Sequence, residues 1–197
     1  MDVTLLGVRV SACVVIDAVE HRRRRASGLC AVADPALLDL LAAVPANVPV
    51  IDPVLWASAA SQPPGVVERG EDGGRVIRRL ESPLRLPDVV VRAAAGRELR
   101  AVQDASLFAG FARRWVAAGR CVPEAAMLEA KLCGVGILGP GHRVLLGAEN
   151  PAGLTRDGWS WLLEEKAYRC WLSGRARLDG TARPGPATDG ASVPGAG

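Results

Sequence analysis

Three short apolar runs each end in an aspartate: Cys13-Val14-Val15-Ile16-Asp17, Cys30-Ala31-Val32-Ala33-Asp34 and Val48-Pro49-Val50-Ile51-Asp52. Carboxylates gathered at the ends of neighbouring strands can hold Mg²⁺ or Mn²⁺ and support phosphoryl chemistry. Asp17, Asp34 and Asp52 are therefore the candidate catalytic and metal-ligating set of a nuclease or phosphoesterase. A second reading competes. Asp34-Pro35 and Asp52-Pro53 are helix starts, with the carboxylate capping free amides and the proline in a first-turn position that needs no donor.

A second nuclease-like pattern pairs Pro87-Asp88 with Glu129-Ala130-Lys131, an acidic pair and a lysine of the sort that binds a metal and activates water. It requires Glu129 on a strand beside Asp88, whereas Pro123 to Cys133 reads as helix. Gly134-Val135-Gly136-Ile137-Leu138-Gly139 spells GxGxxG, but Pro140 and Gly141 follow where a dinucleotide fold needs a helix. The stretch reads as a Gly-rich hairpin. Cys121, Cys133 and His142 are conceivable zinc ligands whose separations match no zinc-binding spacing. No GxSxG and no phosphate-loop motif occurs.

The run His21-Arg22-Arg23-Arg24-Arg25 offers five cationic or titratable groups in a row, able to grip nucleic-acid phosphates or an acidic protein surface. Its alternative is a solvated loop. With 22 Arg against 2 Lys in the chain, clustered arginine carries less weight than usual. Two tryptophans on the last helix, Trp159 and Trp171, share a stripe with Leu163 that serves as core or as a partner face.

The bulk properties frame these candidates. At 197 residues, 49% hydrophobic and 23% charged, the chain can bury one good core or two small lobes. A net charge of +3 permits nucleic acid without demanding it. Five cysteines with no CxxC pair suit reduced thiols. No apolar run approaches the roughly 20 residues of a membrane helix, and no basic region precedes the first apolar stretch. A soluble, cytoplasmic protein is expected.

Along the chain, Gly7 to Val19 alternates as a strand with Val8, Val10, Ala12, Val14 and Ile16 on one face. The arginine run turns the chain into a second strand over Gly28 to Ala33. A helix from Asp34 to about Val44 and a strand over Val48 to Ile51 complete one parallel crossover, and Asp52 starts another helix. Val66-Val67 and Val76-Ile77 form a hairpin. Asp88 to Arg92 and Glu98 to Val102 are strands, Asp104 to Gly119 a helix carrying Phe108, Phe111 and Trp115, and Pro123 to Gly134 another. Val135 to Leu138 and Arg143 to Leu146 make a second hairpin. The last helix starts at Asp157 with Trp159, Leu162, Leu163, Lys166, Ala167, Cys170 and Trp171 on its stripe.

The expected fold is α+β: one domain over 1–178 with a mixed sheet built from one βαβ unit plus hairpins, packed helices, and a flexible tail over 179–197. A division into lobes 1–61 and 85–178 is its variant. The leading functional reading is a non-catalytic binding or accessory protein acting through the arginine run, without a cofactor, on nucleic acid or an acidic protein. The metal-dependent phosphoesterase and a structural subunit or homo-oligomer are its alternatives.

Overall fold

The computed structural model describes residues 1–70, 74–119, 121–151 and 157–174. The tail assigned to 179–197 lies outside them. The fold is α+β, with a mixed six-stranded sheet, a three-stranded sheet and six helices among the described residues.

β1 (Asp2–Leu5) and β2 (Val8–Ile16) form a hairpin across Leu6-Gly7, both with positive φ (51° and 78°). Two such residues match the twist of an antiparallel pair, which is why the strand divides here. Val10 and Ala12 are buried, and Val8, Val14 and Ile16 pack partly against the same core. Asp17 then caps α1 (Ala18–Ala26), its carboxylate accepting from the amides of Val19 and Glu20. The arginine run is therefore helix and not loop. Glu20 makes that tolerable, because it lies three and four residues before Arg23 and Arg24 and pairs with both.

The segment over 28–33 forms no strand. The amide of Val32 donates instead to Glu165 Oε2 at 2.9 Å, so a side chain replaces a strand neighbour. α2 (Pro35–Ala42) and α3 (Pro53–Ala59) follow, capped by Asp34 and Asp52. Between them β3 (Pro49–Ile51) joins β4 (Val67–Arg69) and β5 (Arg75–Arg78) in a fully antiparallel sheet ordered β3-β5-β4. The early parallel crossover does not form.

Parallel crossovers occur later. β6 (Leu84–Arg92), α4 (Glu98–Ser106), β7 (Arg113–Ala117), α5 (Glu124–Leu132) and β8 (Gly136–Leu138) make two consecutive βαβ units, and β9 (Val144–Leu146) returns antiparallel. The large sheet is ordered β1-β2-β6-β7-β8-β9. Glu98 to Val102 is thus helix and not strand, since Ala101, Val102, Ala105 and Phe108 continue one buried helical face. Trp115 belongs to a strand and not to that helix, because Arg114 and Val116 alternate inward against it.

α6 (Gly158–Leu172) opens with a capping box between Asp157 and Ser160. It is buried on two sides. Leu163, Ala167 and Tyr168 join the core of the large sheet, while Trp161 and Leu162 join a second core with Leu37, Leu38, Leu41, Leu55 and Val76. The two cores do not divide at 61 and 85, since β1 and β2 belong to the first and Trp161 to the second. At the start of α6, a Cβ on Gly158 would lie 2.7 Å from the Asp39 backbone, so the glycine is what lets α2 and α6 approach.

Candidate binding cleft on the open sheet face

The three strand-end aspartates are not brought together. Asp17 follows β2 of the large sheet, Asp52 follows β3 of the small one, and Asp34 follows no strand. Each carboxylate accepts from two backbone amides of its own helix, at 2.9 to 3.2 Å. Among the described residues no three His, Cys, Asp or Glu side chains are grouped as a metal ion requires, which also separates Cys121, Cys133 and His142. Glu129 lies on α5, whose Ala130 is buried in the main core, while Asp88 sits on the opposite face of the sheet. The acidic pair with lysine is not assembled either. In the GxGxxG stretch, Gly134 ends α5 at φ 65° and Gly136 is a strand residue beneath Trp115.

The arginine run is largely consumed by the fold. Arg24 is fully buried and makes a bidentate pair with Glu165, at 2.6 and 2.8 Å, plus a 2.8 Å bond to Glu20 Oε1 and one of 2.7 Å to the Glu81 carbonyl. Its guanidinium also lies 5.3 Å from the centre of the Tyr168 ring. Burial alone would pull the Arg24 pKa down, but the bonds and charge of Glu165 and Glu20 outweigh it and hold the guanidinium firmly protonated. Burial likewise pushes the Tyr168 hydroxyl upward. Arg23 donates to both oxygens of Glu20 and to the Gly65 carbonyl. His21 Nδ1 shares a 2.7 Å hydrogen bond with the Tyr168 hydroxyl and meets Trp171 edge-on. Of the five residues of the run, Arg22 and Arg25 are the exposed ones.

The tryptophan stripe divides in the same way. Trp159 is 62% exposed, Leu163 is buried and Trp171 is half-buried against His21 and Tyr168. They do not form one exposed face.

The arrangement with a site's geometry lies elsewhere. α4, α5 and α6 all bury against the sheet face that carries Val10, Val91, Val116 and Ile137. On the opposite face, register sets Cys13, Asp88 and Arg113 in one row, Ser11, Val90, Trp115 and Gly136 in the next, and Arg92, Ala117 and Leu138 in a third. Apart from Gly136 these residues stay half-buried or exposed. Both oxygens of Asp88 are engaged, one by Arg113 Nη2 at 2.8 Å and the other by Trp115 Nε1 at 2.9 Å. The bond from Arg113 raises the pKa of its guanidinium, and the bond from Trp115 pins the indole over Gly136, where a Cβ would run into the ring.

Beside this row opens a cleft of about 650 Å³. It lies where the parallel strands β6, β7 and β8 end, the position in which open α/β sheets hold ligands. Val90, Ala117, Ala118 and Leu138 provide apolar walls, and Ser11, Cys13, Arg92 and His142 the polar groups. Among the described residues that line it there is no carboxylate. Comparisons with family models, curated proteins and solved structures find no match. The cleft must therefore be judged on its own chemistry. Its volume falls within the range of about 300–1,000 Å³ typical of small-molecule sites, and mostly apolar walls with a few convergent polar groups are their usual composition. No helix among the described residues is long and apolar enough to cross a membrane.

Sequence reasoning placed Val8 to Ile16 on a buried face but did not follow the other parity, on which Arg9, Ser11 and Cys13 fall. That alternation was the available signal. What it lacked was the neighbour, because Arg92 joins the site through the pairing of β2 with β6, in which Val10 meets Val91, and Ala117 joins through its pairing with Arg92.

Proposed function

We propose that this protein is a non-catalytic binding protein that takes a small anionic ligand with an apolar body in the cleft on the open face of its large sheet. The observation that carries this reading is the cleft itself: apolar walls at the ends of three parallel strands, with the Arg92 guanidinium and the His142 imidazole at its rim. Burial of an apolar body would supply most of the affinity, at about 25 cal/mol per Å² before the costs of association. Arg92 would supply preference for negative charge.

The reading keeps the binding class inferred from sequence and moves its location from α1 to the sheet. It is favoured over a metal-dependent phosphoesterase because all three candidate aspartates already serve helix amides, a role worth about 0.5–2 kcal/mol each. A nucleic-acid strand or an acidic protein is less well matched, since the concavity is of small-molecule size.

The test uses anilinonaphthalene sulfonate, an apolar aromatic body carrying one anionic group. Its emission should rise on adding native protein and saturate. Ala117→Trp, which fills the cleft from its floor, and Val90→Glu, which places a carboxylate in it, should each weaken that binding by about tenfold or more while circular dichroism stays unchanged. Equal binding by native protein and by both folded variants would overturn the cleft as the site.

A further inference from the structure

A separate hollow of about 230 Å³ lies where α2 and α6 begin, lined by Pro35, Ala36, Asp39, Gly158 and Trp159. It shares no lining residue with the sheet cleft. Gly158 is buried against the Asp39 backbone and sets the two helices close together, while the other four residues are exposed. The volume falls below the range of about 300–1,000 Å³ that holds a whole small molecule, so the hollow suits a single functional group reaching in from outside.

Two of the lining side chains, the Trp159 indole and the Asp39 carboxylate, carry the chemistry. Trp159 is 62% exposed, whereas the other four tryptophans are engaged. Trp56 lies under Arg69 at 4.7 Å, Trp161 under Arg78, Trp115 donates to Asp88, and Trp171 meets His21 and Tyr168. Among the described residues neither a ring nor a cation lies against Trp159. Asp39 stands in a similar state. The cap carboxylates of the two helices, Asp34 and Asp157, accept from amides of their own helix at 2.7 to 3.2 Å, but the Asp39 carboxylate has no hydrogen bond or ion pair among the described residues. α2 contains no basic residue, and the first on α6 is Lys166, about two turns beyond Trp159.

The face of an indole attracts cations, and a carboxylate in the same hollow supplies the opposite charge. An ammonium is strongly hydrated and needs acceptors that the side chains of Pro35, Ala36 and Gly158 do not offer. A guanidinium is planar and weakly hydrated, stacks on an aromatic face, and forks onto a carboxylate with two parallel N–H donors. The fold already uses this combination once, where Arg24 lies over the Tyr168 ring and pairs bidentately with Glu165. We infer that the hollow is a docking site for the guanidinium of an arginine in a partner protein, which stacks on Trp159 and donates to the Asp39 carboxylate. The site is independent of the cleft and stands whether or not the cleft takes a ligand.

The experiment titrates the full, isotopically labelled chain with the peptide acetyl-Gly-Gly-Arg-Gly-Gly-amide and with the same peptide carrying lysine or citrulline, the neutral isostere of arginine. The amides of Ala36, Asp39, Gly158 and Trp159 and the Trp159 indole N–H should shift with the arginine peptide at millimolar concentration. The lysine peptide should bind at least about threefold more weakly and the citrulline peptide at least about tenfold. Trp159→Ala and Asp39→Asn should each weaken the arginine peptide by about fivefold or more while circular dichroism stays unchanged, and Trp159→Phe should keep part of the affinity. No shift of these resonances, equal affinity for the three peptides, or full affinity in either of the first two variants would overturn the site. Tighter binding of free arginine than of the arginine peptide would overturn the partner-protein reading by assigning the hollow to a small molecule.

Discussion

Replacing Arg24 by Met is expected to lower folding stability by about 3–5 kcal/mol. The arginine is fully buried, and so are its two partners, with Glu20 at 4% and Glu165 at 1% exposure. Removing the cation leaves the Glu165 carboxylate without its guanidinium in a site with little water, where a lone buried charge is far costlier than a pair, while Glu20 keeps Arg23. It also strands the Glu81 carbonyl, which accepts from Arg24 at 2.7 Å. Met has similar length without charge, so the loss reports electrostatics and hydrogen bonding more than a void. Urea unfolding followed by tryptophan emission measures it, and a loss below about 1 kcal/mol would mean that the network contributes little. Replacing Arg24, Glu20 and Glu165 together by apolar residues should recover part of the loss, because no carboxylate then stays buried without its cation, and Arg23, which loses Glu20, is partly exposed. The same triple change bears on specificity, since Glu165 ties α6 to α1 and also to the amide of Val32.

The second large effect separates two tryptophans that are neighbours in sequence. Trp161→Ala should cost about 3–5 kcal/mol, the usual range for emptying an aromatic site in a core. Trp161 has no exposed surface, is packed with Leu37, Leu38 and Leu55, and lies under the Arg78 guanidinium, which is 5.2 Å from its ring centre. Trp159→Ala should change stability by no more than about 0.5 kcal/mol, as an exposed side chain leaves no cavity behind. Paired urea titrations of the two variants give the comparison. Similar losses would contradict the placement of α6 between two cores.

That pair of residues illustrates how much could be read in advance. The start of α6, its cap at Asp157 and its helical period are local features, and they fall where the pattern placed them. So do α2, α3 and α5, the hairpins β4-β5 and β8-β9, and the α+β class, because caps, prolines and glycine-flanked apolar runs act within a few residues. The face of α6 is different. A stripe drawn through Trp159, Leu163 and Trp171 assumes one buried side, whereas contact with two cores turns Trp161, Leu162 and Tyr168 inward and leaves Trp159 in solvent.

The arginine run failed for a related reason. Four adjacent arginines look like a charged loop until Glu20 is seen one turn earlier and Glu165 is known to lie across from them. The first partner is visible in the sequence as an i, i+4 pair, but the second is 141 residues away. The aspartates were legible as caps from the prolines after Asp34 and Asp52, and the same role for Asp17 follows once α1 is recognised. The cleft was least legible, since no short motif marks it. Its character comes from a parity on β2 and from the ends of β6, β7 and β8 meeting side by side.

The most direct test of the central claim is a map of backbone amide shifts on adding anilinonaphthalene sulfonate to isotopically labelled protein. The account predicts that the largest changes fall on Ser11, Cys13, Arg92, Ala117 and Leu138, with His142 at the rim, and saturate with a single affinity. Changes centred on Arg22 and Arg25 of α1, or on Trp159, with the cleft residues unmoved, would contradict it.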